Sequence, residues 1–339
     1  SFVHNARRIA PMIQVNGLTK YYGEHAAIRD LTFAIEKGEV IGFLGLNGAG
    51  KSTTLKILGC VLLPTAGNVT VDGIDIARNP HEIRRRIGFL PDHPPVYTEM
   101  TVGRYLAFAA RLRGVSAADT AARVTEAETK TDIRDVHDEL ISSLSHGYRQ
   151  RVGVAQALVH RPKLVIMDEP TSGLDPRQTV EMRKTIRSLR GEHTILLSSH
   201  ILSEISQTCD RLLIIRDGEI VDQGSEEDLA RRLGGGGAVA IEVDVAGGAD
   251  SALAILRQLP GVARATTVRQ AQGITSLRVE STADLRAQVA RALVMGGIDL
   301  VRIDRGTGRL ESIFLQLTQD KGGSSSGDSD LLLSKDLPQ

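Results

Sequence analysis

The sequence predicts an α/β domain built on a mostly parallel sheet, followed by a smaller α+β domain. Three observations carry this. The continuous apolar runs at 39–44 (EVIGFL), 163–167 and 194–198 have the length and composition of strands buried on both faces. Segments with helical spacing separate these runs, and alternating strands and helices imply a parallel sheet covered by helices on both sides. The four consecutive glycines at 234–237 punctuate the chain, and the pattern changes beyond them.

Taken in order, residues 13–15 and 31–35 read as short strands. Strand 39–44 runs through a glycine-rich turn into a helix over 51–58, and 87–90 reads as another strand. Helices follow at 102–113, 118–130 and 148–160, the last stopped by Pro162. Strand 163–167 leads to a helix at 177–189, strand 194–198, a short helix at 202–207 and strand 211–216. Past the glycines come strand 239–245, helix 251–258, strands 262–268 and 275–279, helix 285–295 and strand 300–304. That βαββαβ order predicts a small ferredoxin-like domain. A last segment, 310–318 (LESIFLQLT), has apolar residues at helical spacing. The expected division is an N-terminal extension over 1–11, a first domain over 12–233, a small domain over 238–320, and a Gly/Ser-rich disordered tail over 321–339.

Composition excludes several classes. The 339 residues suggest about two domains, and 41% apolar with 24% charged residues is ordinary for a globular protein. Lys plus Arg and Asp plus Glu are 41 each, without the basic excess of a chain that coats nucleic acid. Cys60 and Cys209 have neither metal-ligand spacing nor a disulfide framework, and both read as small buried hydrophobes. No stretch approaches the roughly 20 apolar residues of a membrane span, and residues 1–11 lack the apolar core of a signal peptide.

Residues 45–53 read GLNGAGKST, a P-loop pattern between a buried strand and a helix. Glycines let backbone wrap a phosphate closely, and backbone N–H groups at a helix N-terminus present positive charge to it. Gly45, Asn47, Gly48, Ala49, Gly50, Lys51, Ser52 and Thr53 are therefore the candidate phosphate cradle. Lys51 would reach the terminal phosphates, and the Ser52 hydroxyl would ligate Mg²⁺. Strand 163–167 ends in Asp168 and Glu169. Asp168 would hold Mg²⁺ and Glu169 would polarise the attacking water, which makes the chain a nucleotide hydrolase.

Residues 144–150 read LSHGYRQ, about 20 positions before the acidic strand. Here the chain resembles the ATP-binding subunits of ABC transporters, whose signature is Leu-Ser-Gly-Gly-Gln. Ser145 and Gly147 are kept, whereas His146 and Tyr148 replace a glycine and the glutamine. The resemblance covers residues 13–229 and implies a P-loop ABC-type ATPase domain with a helical subdomain. It further implies that Ser145 and Gly147 complete the ATP site of an opposite subunit. Tyr22 falls where such subunits stack an aromatic on adenine, with Tyr21 as the alternative. Residues 172–175 (SGLD) match the D-loop, and His200 matches the switch histidine that contacts the γ-phosphate and orients Glu169. Of the other histidines, His81, His93, His137, His146, His160 and His193 read as surface or loop residues. Where the family has a glutamine facing Mg²⁺ or water, this chain has Asp92, expected to sense the metal. Asp92 and the altered signature resemble the ATPase subunits of gliding-motility and related export systems.

The expected function is ATP-driven transport, with export the direction that the resemblance implies and with Glu169, His200 and Lys51 catalytic. The expected cofactors are ATP and Mg²⁺. The implied partners are an integral-membrane permease and a second ATPase subunit, either another copy or a homologue, with no nucleic acid. The implied location is peripheral, on the cytoplasmic face of the inner membrane. The small domain would serve dimerisation or regulation. Two other classes compete. A metabolic P-loop kinase would lack the signature and D-loop. A non-transport ABC ATPase of the repair kind would separate Lys51 from Asp168 by a long heptad array, which this chain lacks, whereas a slow regulatory ABC ATPase is motivated by Asp92 and Tyr148.

Overall fold

The computed structural model describes residues 10–233, 239–271 and 273–305. The chain divides into two compact units at Arg232–Leu233.

The first unit opens with β1 (Ile13–Tyr22), β2 (His25–Ile35) and β3 (Val40–Leu44), then α1 (Lys51–Leu58). Next come β4 (Ala66–Val71), β5 (Ile74–Asp75), α2 (Pro80–Arg84) and β6 (Ile87–Leu90). Three helices follow, α3 (Val102–Leu112), α4 (Ala117–Thr131) and α5 (His146–Leu158). The chain returns through β7 (Leu164–Met167), α6 (Pro176–Ser188), β8 (Thr194–Ser199) and α7 (Leu202–Ser206). It closes with β9 (Arg211–Arg216), β10 (Glu219–Gly224) and α8 (Glu226–Leu233).

The central sheet has the order β10-β9-β3-β8-β7-β6. Its strands are parallel except β10, which pairs antiparallel with β9. β3, β7 and β8 are buried along their whole length, as both-face coverage requires. The first two strands expected from the sequence belong elsewhere. β1 and β2 sit in a separate antiparallel sheet, β2-β1-β4-β5. They are also longer than their expected 13–15 and 31–35 cores. Gly17, at φ 60, shifts the register between Val15 and Leu18, and the strand continues past a position that reads as a turn. One core joins the two sheets through α1: Val15, Leu31 and Phe33 share it with Leu55, Leu58, Phe43 and Ile166. Each fully buried side chain of this kind contributes roughly 1.5–3 kcal/mol.

α3, α4 and α5 form a helical subdomain with its own core of Val102, Leu106, Ala110, Ile141 and Val152. Its starts are set by capping. Thr101, Ser116 and Ser145 each accept a backbone N–H from the first turn, so α5 begins two residues before the expected 148.

The second unit contains β11 (Val239–Ala246), α9 (Ala249–Gln258), β12 (Val262–Ala271), β13 (Ile274–Ser281), α10 (Arg286–Met295) and β14 (Asp299–Arg305). All neighbours are antiparallel in the order β12-β13-β11-β14, which is the ferredoxin-like arrangement. α9 and α10 pack Ala252, Leu256, Val289 and Leu293 against Ile241, Val243 and Leu277. The expected helix at 310–318, the tail from 321, the glycine run at 234–237 and nearly all of the N-terminal extension lie outside the described residues.

Two histidines read as surface or loop residues are tied into the fold: His160 does lie in the turn after α5 but is half-buried, and His193 is buried. The Nδ1–H of His193 donates to the Pro162 carbonyl at 2.6 Å. The Nε2–H of His160 donates to the Ile87 carbonyl at 3.0 Å. Burial, with the nearby positive charge of Arg113, pushes His160 down from 6.5 to about 4, and burial lowers His193 in the same direction. The unfolded chain therefore binds a proton at His160 that the folded chain refuses. The contribution of His160 to stability is complete above pH 6.5 and is lost as pH falls from 6.5 toward about 4. Melting temperatures across that window should fall, and His160→Gln should flatten part of the slope, leaving the share due to His193. Equal slopes in both proteins would refute the assignment. The cysteines, read as small buried hydrophobes, are half-buried, and burial pushes both thiols up.

Candidate active site

The C-terminal ends of β3, β7 and β8 lie side by side, and in open α/β sheets this is where ligands bind. β3 delivers the loop from Gly45, β7 delivers Asp168 and Glu169, and β8 delivers His200.

The loop is shaped by Gly48 and Gly50, with φ of 83 and 103. A Cβ on Gly50 would lie 2.6 Å from the Ala27 carbonyl oxygen, so no larger residue fits. α1 then starts with no side-chain cap, which leaves its first N–H groups free for an anion. Lys51 is only 5% exposed. Its ammonium donates to the carbonyls of Gly45 at 2.7 Å and Leu46 at 3.2 Å, and lies 3.5 Å from Glu169 Oε1.

Glu169 has a left-handed backbone, φ 48. Its N–H donates to Ser198 Oγ at 2.9 Å, and that hydroxyl donates to Asp168 Oδ1 at 2.6 Å. Asp168 is 1% exposed and thus fixed. His200 Nδ1 lies 2.9 Å from Glu169 Oε2. A carboxylate only accepts, so Nδ1 carries the hydrogen. One carboxylate is thereby held between an ammonium and an imidazole.

These groups line a cleft of about 300 Å³ with Asn47, Gly48, Gly50, Ser52, Thr53 and Asp92. Gly45, Ala49 and Asp168 stand behind the lining, Gly45 through its carbonyl and the others as buried residues. Tyr22 is 49% exposed at the end of β1, with the Lys20 ammonium 5.5 Å from its ring centre, and it does not line the cleft. Nor do Ser145 and Gly147, which sit at the start of α5. Tyr148, in the place of the signature glutamine, turns to Asp135 and donates at 2.9 Å. That hydrogen bond raises its phenol above the ordinary range. Sequence reasoning missed Ser198 and placed Ser172 only in the D-loop match. Ser198 links Asp168 to Glu169, and its signal was a hydroxyl at the end of an apolar strand. Ser172 joins the cleft lining.

Residues 28–172 match the family described as ABC transporter. The chain is 40% identical over 205 residues to the ABC transporter ATP-binding protein NatA of Bacillus subtilis (strain 168), covering 60% of this chain and 83% of that relative. This chain belongs to the ABC transporter ATP-binding protein family. Against the bacitracin transport ATP-binding protein BcrA of Bacillus licheniformis it is 33% identical, over 94% of this chain and 100% of the relative. The solved structure of an ATP-binding subunit of an ABC transporter has a TM-score of 0.61 and 30% identity, and covers 66% of this chain and 93% of that one. The dimeric structure of MJ0796, a bacterial ABC transporter cassette, has a TM-score of 0.58 and 26% identity, covering 63% and 98%. ABC ATP-binding subunits bind and hydrolyse ATP, dimerise and work with membrane permeases. This chain is such an ATPase subunit. Among its described residues, no helix is long and apolar enough to cross a membrane.

Proposed function

We propose that this subunit drives an export-type permease through ATP-dependent closure of two nucleotide-binding domains, with a second copy of itself as the other half. The observation that carries the reading is the placement of Glu169 between Lys51 and His200 in the cleft, with Ser145 and Gly147 outside it. One chain supplies both halves of a composite site at different places, so two chains are needed to assemble one.

In this reading Lys51 and the N–H groups of 47–53 hold the phosphates, and Tyr22 stacks on adenine. Ser145 and Gly147, backed by the α5 N-terminus, meet the γ-phosphate bound to the other copy. Glu169 takes a proton from water, and His200 fixes its orientation. Mg²⁺ prefers oxygen ligands and one or two carboxylates beside substrate phosphates. Ser52 and Asp92 in the cleft, with Asp168 behind it, fit that preference; among the described residues no denser acidic cluster competes. When bound, Mg²⁺ would neutralise charge on the phosphates.

Tyr97, Phe108 and Leu112 are exposed beside the loop after β6, with the Tyr97 and Phe108 rings 5.6 Å apart. This aromatic surface suits the permease, beside residues 92–105. Export is supported by relatives whose names record bacitracin transport, linearmycin resistance and daunorubicin resistance. The narrower likeness to gliding-motility subunits rests on Asp92 and residues 144–150 alone. The subunit would sit peripherally on the cytoplasmic face of the inner membrane, where ATP is available. Its ferredoxin-like unit, with no catalytic constellation among the described residues, would serve dimer contact or regulation.

Light scattering on Glu169→Gln with and without Mg-ATP tests the reading. A shift from monomer to dimer on adding Mg-ATP, abolished by a further Ser145→Arg change, is the expected result. Binding of ATP with no change in mass would sink the two-copy mechanism.

A further inference from the structure

We propose that His146 is a positioning residue that couples the two ATP sites of the closed pair: it carries the seating of Ser145 on one nucleotide to Glu169 at the other. The inference rests on the two-copy reading above and adds a link that the signature pattern does not contain.

The link is continuous. His146 follows Ser145 directly, and its Nε2 lies 3.1 Å from the Ser172 carbonyl oxygen. A carbonyl only accepts, so Nε2 carries the hydrogen. The same ring edge packs on Gly173, where a Cβ would come within 3.1 Å of Nε2. Ser172 N–H donates to the Glu169 carbonyl at 3.0 Å, and Ser172 shares the cleft lining with Glu169. Ser145, His146, Ser172 and Glu169 are thus joined by one peptide bond and two hydrogen bonds.

Two neighbouring contacts make the link stiff. One turn along α5, buried Gln150 donates from Nε2 to the Pro170 carbonyl at 3.2 Å. On the opposite flank, Thr171 Oγ1 donates to Glu204 of α7. The segment 170–173 is therefore gripped by α5 on one side and by the helix following His200 on the other. A displacement of the α5 N-terminus moves this segment rather than stretching one side chain. A glycine at 146, as in the family signature, has no side chain with which to make the bond.

The test uses the full-length protein and steady-state ATP hydrolysis as a function of ATP concentration. His146→Gly removes the donor, and His146→Gln restores an N–H at similar reach. The Hill coefficient of the unchanged protein is expected near two, falling toward about one in His146→Gly and recovering in His146→Gln. kcat should fall roughly five-fold in the glycine variant, the worth of one hydrogen bond. ATP-driven dimerisation in the Glu169→Gln background should survive His146→Gly. A purely structural role would lower kcat and leave the Hill coefficient alone, and that outcome overturns the coupling. A coefficient of about one in the unchanged protein overturns it equally. Failure of Glu169→Gln itself to dimerise in Mg-ATP would reject the two-copy reading first, and the coupling with it.

Discussion

Glutamine at position 169 is expected to lower ATP turnover by about 10²–10⁴-fold, the range that a positioned general base supplies. Gln keeps the length and shape of Glu and can still accept the His200 Nδ1–H seen at 2.9 Å. It cannot take a proton from water. It also removes the negative charge 3.5 Å from the Lys51 ammonium, so affinity for ATP should hold or rise. Phosphate release gives the rate, and titration with a fluorescent ATP analogue gives the affinity. Gln and Glu meet the same backbone demand at φ 48, so melting temperatures should match and confine the effect to chemistry. Turnover within about three-fold of the unchanged protein would remove Glu169 from the role of base.

Lys51→Ala should weaken ATP binding by about 10²-fold, the worth of hydrogen bonds made by a buried charged group. The ammonium is 5% exposed and already oriented by the Gly45 and Leu46 carbonyls, so little freedom is lost when it meets a phosphate. Its loss also strips Glu169 of a cation beside the incoming negative charge. Calorimetric titration with Mg-ATP reads the affinity directly. Lys51→Arg should not rescue binding, because a planar fork does not fit a space shaped for a compact ammonium. Affinity within about three-fold of the unchanged protein would contradict the assignment.

Much of this site is legible in the sequence because its chemistry is local. The loop 45–53, the pair Asp168–Glu169 and His200 each end a buried apolar strand, and such runs survive any uncertainty about neighbours. The antiparallel strands were harder. β4 and β5 are joined through Asp72-Gly73, and β9 and β10 through Asp217-Gly218, both with positive φ at each residue. An Asp-Gly pair between short extended segments is a hairpin signal. It does not stand out here because β4 and β5 on either side of the first pair, and β10 after the second, carry many polar residues. Burial of His160 and His193 was not legible either. Each donates one ring N–H to a carbonyl from a segment distant in sequence, Ile87 and Pro162 respectively, which only the fold brings near. The link from His146 to Ser172 is of the same kind: the residue stood out as a departure, but its partner lies 26 positions away.

The left-handed backbone of Glu169 sets the chain's thermal robustness against its turnover. A non-glycine residue there costs about 1–2 kcal/mol, which Gly would recover and Asn would reduce. Either change deletes the carboxylate in the cleft. Selection for heat resistance alone would therefore erode this position early, yielding a sturdier protein that binds its fuel and cannot burn it. Any stabilising library for this subunit has to hold residue 169 fixed and look for its gains elsewhere.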